Sequence, residues 1–189
     1  MSIFQTADRE LVKAATHLGG QDQLRDQIVY VAAVILPFAA IAVGLWIFFR
    51  GKNKRQREKD QNVVLLALAA VLIAIGVRWL IAESFDTARP FVTLPDLHYL
   101  HHVGLVTAQS PSFPSLHAMM LFAFAGPFYF IGHHLNWSRV LLLIAAIVVF
   151  ARVVAGVHYP SDVLAGAILG LVVAKIVSWQ SRWLDAQMK

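Results

Sequence analysis

"IVYVAAVILPFAAIAVGLWIFF", residues 28–49, runs for six helical turns without a single charge. A helix crossing a hydrocarbon layer needs about 20 mostly apolar residues, because its backbone must satisfy its own hydrogen bonds there. This stretch meets that need, and the fold class follows from it: an all-α protein whose solvent is the bilayer. Residues 63–82 repeat the pattern with Arg78 as the one interruption. Residues 115–131, 140–157 and 163–179 are shorter or interrupted, by Pro127, Arg152 and Lys175 respectively, and still read as helices. Lys175 lies near a helix end, where a long side chain can snorkel, and Gly166 and Gly170, four apart, offer a face for close helix packing. The expectation is a polytopic membrane bundle of about five transmembrane helices.

Composition agrees: 58% of the 189 residues are hydrophobic, only 14% are charged, and the mean hydropathy is +0.63, which excludes an ordinary soluble domain. Residues 1–27 are too polar for a sixth span. Within them "TADRELVKAATHL" sets Leu11, Ala14, Ala15 and Leu18 on one face, the pattern of an amphipathic helix lying at a surface, and it lacks the apolar core of a signal peptide. The expected division is therefore an amphipathic segment, 1–27, and one transmembrane domain, 28–189. The absence of Cys excludes disulfides and thiolate chemistry. Six of the 16 Lys and Arg fall in "RGKNKRQREKD", residues 50–60, which reads as a solvated loop and not as a nucleic-acid site. A short basic loop between spans is cytoplasmic. Alternation from it puts Arg139 and Arg182 inside, and residues 83–115 and the segment around His158 outside.

Three polar stretches then meet at one membrane face: "ARPFV" from Ala88, "PSFPSLHAMM" from Pro111 and "ARVVAGVHYPSD" from Ala151. Ionisable groups at that depth are costly unless paired or functional. Arg89 and Arg152 form a fork suited to a dianionic phosphate, and Ser115 with the N–H of Leu116 sits at a helix N-terminus, where orphan donors favour an anion. His158 and Asp162 are four apart across Pro160, which restarts a helix, so that the carboxylate can hold one ring nitrogen and leave the other as nucleophile or base. His117, on a different helix, is free to give a proton to a leaving group.

Arg89-Pro90, then Pro114-Ser115-Leu116-His117, then Arg152 with His158 and Asp162 resemble the three-part signature of the type 2 phosphatidic acid phosphatase (PAP2) superfamily: Lys-x6-Arg-Pro, Pro-Ser-x-His, Ser-Arg-x5-His-x3-Asp. Three positions depart from the residues usual there: the lysine is Ala82, the glycine usual at x between Ser and His is Leu116, and the serine before Arg152 is Ala151. In general character the chain is most similar to the bacterial undecaprenyl diphosphate phosphatases associated with bacitracin resistance. The resemblance implies a metal-independent double displacement without cofactor. His158 would form a phosphohistidine oriented by Asp162, His117 would protonate the departing oxygen, and Arg89, Arg152, Ser115 and the Leu116 amide would hold the phosphoryl oxygens. The implied substrate is a polyprenyl diphosphate in the bacterial cytoplasmic membrane, met at its outer face. Another lipid phosphate, such as phosphatidic acid, phosphatidylglycerol phosphate or lipid A, would suit the same residues. A transporter or scaffold of the same fold, or a vanadium haloperoxidase, is a more distant alternative.

Two features lie outside the signature. His98, His101 and His102 have a helix-compatible metal-ligand spacing but read as a polar lid. Arg78 lies one turn before Ala82, and a side chain leaning toward its helix N-terminus points away from the phosphate, so its expected role is to bond neighbouring elements.

Overall fold

The computed structural model describes all residues except 1–2, 20–21, 86, 95, 101–102, 104–106, 132–134 and 188–189; among the described residues there is no strand. Helices carry the chain: α1 (Ile3–Thr16), α2 (Gln23–Phe49), α3 (Lys54–Ser84), α4 (Leu116–Phe130), α5 (Leu135–Val154) and α6 (Pro160–Gln187). The protein is all-α. By length and apolarity α2, α3, α5 and α6 can each cross a membrane, and α4 is a shorter apolar helix of 15 residues. It is the most enclosed of them, with buried positions on every side from Ala118 to Phe128.

Gly166 and Gly170 explain why α4 is enclosed. A Cβ on Gly166 would lie 2.7 Å from the Ser115 carbonyl oxygen, and one on Gly170 would lie 2.5 Å from that of Met119. One turn pair deeper the roles reverse, and a Cβ on Gly126 of α4 would lie 2.3 Å from the Ala174 Cβ of α6. Small residues thus let two backbones touch along their length, as the spacing of the glycines predicted. This contact brings the N-terminus of α6 beside that of α4, where the Ser115 N–H donates to the Asp162 carbonyl at 3.1 Å.

Local chemistry set several boundaries differently from expectation. The basic run is mostly helix, since Lys, Arg, Gln and Glu are good helix formers and the Asn53 side chain caps the first turn by accepting from the Gln56 N–H at 2.9 Å. The loop between α2 and α3 shrinks to residues 50–53. Asp60, buried in that helix, pairs with Arg50 at 3.4 Å, whose guanidinium lies over the Trp46 ring. In α2 the residues Val31–Ile35 form a π-helical turn, ending where the Leu36 N–H reaches back to Val31. Pro37 follows at the next position; it has no N–H to give and its ring crowds the preceding turn, which a wider turn relieves. Helix α5 ends at Val154, short of the expected 157, because Gly156 turns the chain with φ 74°. A Cβ there would meet that of Tyr99 at 2.9 Å. Helix α1 forms as expected, with Leu11 and Leu18 exposed, and it also buries Val12 beside Leu97 and Val153.

Candidate active site

Two of the three polar stretches are shaped by a proline that opens a helix. Pro90 forces Arg89 into an extended conformation (φ −74°, ψ 157°) and opens a one-turn helix, Pro90–Thr93. The Arg89 side chain turns inward and is held by the protein. Its Nε donates to the Ser110 carbonyl and hydroxyl, each at 3.1 Å, its Nη1 to the Val157 carbonyl at 2.9 Å, and its Nη2 to the Pro111 carbonyl at 3.2 Å. Burial lowers this guanidinium to about 10, with Asp162 opposing and Arg78 adding to the effect. It stays cationic at neutral pH.

Pro160 opens α6 and puts Asp162 in its first turn. The carboxylate reaches back to accept from the Tyr159 N–H at 2.8 Å, the reciprocal half of a capping box, and its Oδ2 lies 3.5 Å from His158 Nδ1. Asp8 of α1 adds a second cap, accepting from the Ser161 N–H at 3.0 Å and from its hydroxyl. The other nitrogen of His158, Nε2, lies 3.3 Å from Arg89 Nη1. A guanidinium can only donate, so Nε2 carries the lone pair and Nδ1 carries the proton, which faces the carboxylate. Burial pushes the imidazole down to about 4; the hydrogen bond and charge of Asp162 oppose this, and Arg152 and Arg89 reinforce it. His158 is therefore neutral at pH 7, with its unshared pair turned toward the cations.

Ser115 stands at the N-cap of α4 but its side chain makes no capping hydrogen bond. Its hydroxyl is fully buried and has no partner among the described residues. The Nε of Arg152, in the last turn of α5, is likewise buried and without a partner among the described residues, although its Nη1 donates to the Val103 carbonyl at 3.3 Å. The first N–H groups of α4, that of Leu116 included, have no intrahelical acceptor. His117 lies half-buried one residue further on and looks onto Arg152, His158 and Arg89. The cluster thus presents unpaired donors, two cations, a neutral imidazole oriented by a carboxylate, and a second imidazole. That set matches the charge and the hydrogen-bonding needs of a phosphoryl group.

Arg78 reaches the Pro111 carbonyl at 2.9 Å and the Pro114 carbonyl at 3.4 Å. It fastens the turn that carries Ser115, in line with the expected bonding to neighbouring elements. Ala82 is buried with no charge to offer. His98 lies 3.9 Å from Asp26 Oδ2, while His101 and His102 fall outside the described residues. Sequence reasoning missed Ser112 and Thr87: the Ser112 hydroxyl donates to Asp162, and Thr87 accepts from the Ser112 N–H through its carbonyl, at 2.8 Å, and from the Phe113 N–H through its hydroxyl, at 3.0 Å. The only signal in the chain was the richness in Ser and Thr around the signature.

Below the cluster, an apolar cavity of about 310 Å³ runs between α2, α3 and α4, lined by Ala40, Gly44, Leu68, Met120 and Phe124 among others, with His117 at its polar end.

Residues 63–185, which include all three stretches, match the PAP2 superfamily. Among curated proteins the chain is 32% identical over 150 residues to the putative undecaprenyl-diphosphatase YbjG of Escherichia coli, covering 78% of this chain and 68% of that one. It is 28% identical to the bacitracin transport permease protein BcrC of Bacillus licheniformis (93% and 81% covered) and 25% identical to the undecaprenyl-diphosphatase BcrC of Bacillus subtilis (87% and 79%). Among solved structures, a transmembrane PAP2 type phosphatidylglycerolphosphate phosphatase from Bacillus subtilis superposes with a TM-score of 0.66 at 25% identity, over 100% of this chain and 89% of that one. LpxE of Aquifex aeolicus shares the fold, with a TM-score of 0.60 at 23% identity over 89% and 92% of the two chains. With the match spanning every element that builds the cluster, and with relatives of this similarity over most of their length, the chain belongs to the PAP2 superfamily.

Proposed function

We propose that this protein is a lipid diphosphate phosphatase that releases inorganic phosphate from undecaprenyl diphosphate, or a polyprenyl diphosphate like it, at the outer face of a bacterial cytoplasmic membrane. The observation that carries the reading is the orientation of His158: proton on Nδ1 toward Asp162, lone pair on Nε2 toward the arginines. Phosphate oxygens would take the unpaired donors of Ser115 and Arg152, the Leu116 N–H and the Arg89 guanidinium, which would exchange its contact with Nε2 for one with the substrate. Nε2 then attacks the terminal phosphorus, forming an N–P bond as the bridging P–O bond breaks. His117 gives its proton to the departing lipid phosphate. In the second half a water loses a proton to His117 and attacks phosphorus, the N–P bond breaks, and phosphate leaves with His158 neutral again. No step calls on a metal ion.

The names of the relatives support the diphosphate, and the apolar cavity ending at His117 supports a long hydrocarbon on the leaving group. Phosphate release by the purified protein in detergent, with EDTA present, tests this across undecaprenyl diphosphate, a short-chain prenyl diphosphate, phosphatidic acid and phosphatidylglycerol phosphate. The long-chain diphosphate is expected to show the highest kcat/KM, at least tenfold above the short-chain one. A preference for phosphatidylglycerol phosphate would move the assignment to the activity named for the structural neighbour, and no release from any of the four would defeat it.

The outward placement of the cluster rests on the six basic residues at the opposite end, between α2 and the apolar part of α3. In intact cells, a cysteine placed at Asn53 of this Cys-free chain should resist an impermeant thiol reagent, while one at Thr107 should react. The reverse pattern would invert the orientation.

A further inference from the structure

The Oδ2 atom of Asp162 accepts from more than His158. It takes the Tyr159 N–H at 2.8 Å and also the hydroxyl of Ser112, two residues ahead of the Pro-Ser of the signature. The Ser112 Oγ is itself 3.5 Å from His158 Nδ1, the same distance as Asp162 Oδ2 from that nitrogen. Ser112 is fully buried, its N–H is tied to the Thr87 carbonyl at 2.8 Å, and the preceding carbonyl of Pro111 is held by both Arg78 and Arg89. Backbone ties on either side of it and the carboxylate in front of it thus place this hydroxyl, and the steps of phosphoryl transfer given above do not use it.

We propose that Ser112 is a positioning residue for the phosphoryl transfer: its hydroxyl locks the Asp162 carboxylate in the one orientation that receives the His158 Nδ1–H, which in turn aims Nε2 at phosphorus. The inference rests on the proposed function, with His158 as nucleophile. A carboxylate turns readily about its last bond, and the Tyr159 N–H alone fixes one direction and not the plane. A second donor removes that freedom. Because the serine proton is given to the carboxylate, the lone pairs of Oγ face Nδ1–H, so this proton is shared between Oγ and Oδ2. When the N–P bond forms, the imidazole takes on positive charge, and both acceptors then gain strength together. The benefit therefore falls on the transition state, and the binding of substrate owes nothing to it.

Ser112→Ala is expected to lower kcat about 10- to 100-fold, the worth of one hydrogen bond to a charged group, with KM within about threefold of wild type. Ser112→Thr, which keeps the hydroxyl, should recover most of that loss. Ser112→Cys, of similar shape with a weak donor, should fall between and supplies the comparison should the alanine protein fail to fold. Wild-type kcat in Ser112→Ala, equal impairment of the alanine and threonine variants, or a rise in KM at constant kcat would each overturn the proposal. His158→Ala is assayed alongside. If it turns over, the nucleophile assignment is what fails; if it is inactive while Ser112→Ala is unimpaired, only the role of Ser112 fails.

Discussion

His158→Ala should insert, fold and release no phosphate in the steady state. The substitution removes the nitrogen whose lone pair faces Arg89, so this N–P bond cannot form, and water would have to attack the diphosphate unaided. Residual rates of 10⁻³ or below are expected, because the electrostatic cradle survives but covalent catalysis does not. His117→Ala removes proton transfer instead and should cost about 10² to 10⁴-fold. The two differ in a way that separates their roles. In His117→Ala the first step can still proceed slowly with a good leaving group, so a label from radioactive substrate should build up on the protein as an acid-labile, alkali-stable phosphohistidine. In His158→Ala it should never appear. Turnover above a tenth of wild type in either variant, or a label in His158→Ala, would refute the assignment; His98→Ala, whose side chain lies by Asp26, is the control.

The membrane spans were legible because a bilayer leaves the backbone no alternative: long apolar runs must be helices. The Gly166 and Gly170 spacing was legible for a similar reason, since only a close helix neighbour explains two such residues on one face. The start of α3 was not, because a charge run looks alike as loop or helix, and the decision lay with the cap at Asn53. The inward residue of α1 was also hidden. Leu11 and Leu18 marked the apolar face of a surface helix, whereas Val12 fits against Leu97 and Val153, a contact set by distant parts of the chain. At the site, spacing alone suggested that Asp162 could reach His158, which lie four apart. Ser112 could not be read this way, since it meets Asp162 fifty residues away and only through the packing of α4 on α6. The target of Arg78 was hidden by the same distance: the two loop carbonyls it meets lie more than thirty residues along the chain.

That packing is the basis of the other large effect. Gly170→Val should abolish activity although residue 170 lies two turns from the nearest member of the cluster. Its Cβ would stand 2.5 Å from the Met119 carbonyl oxygen and 3.0 Å from the Ala123 nitrogen, and both are backbone atoms that no rotamer change can move aside. The helices must separate or tilt, and overpacking of this kind costs about 1–3 kcal/mol or more. The damage travels to the cluster because α4 and α6 carry its two halves: Ser115 and His117 on one, Asp162 on the other, joined by the 3.1 Å bond from the Ser115 N–H to the Asp162 carbonyl. A displacement of about 1 Å between groups that must act together is enough to cost about 10²-fold in rate. Gly76→Val on α3 supplies the control, since a Cβ there meets nothing within 4 Å. Thermal unfolding in detergent and phosphate release should both collapse for Gly170→Val and both hold for Gly76→Val. If Gly170→Val kept its activity, the close approach of α4 and α6 would not be what assembles the site.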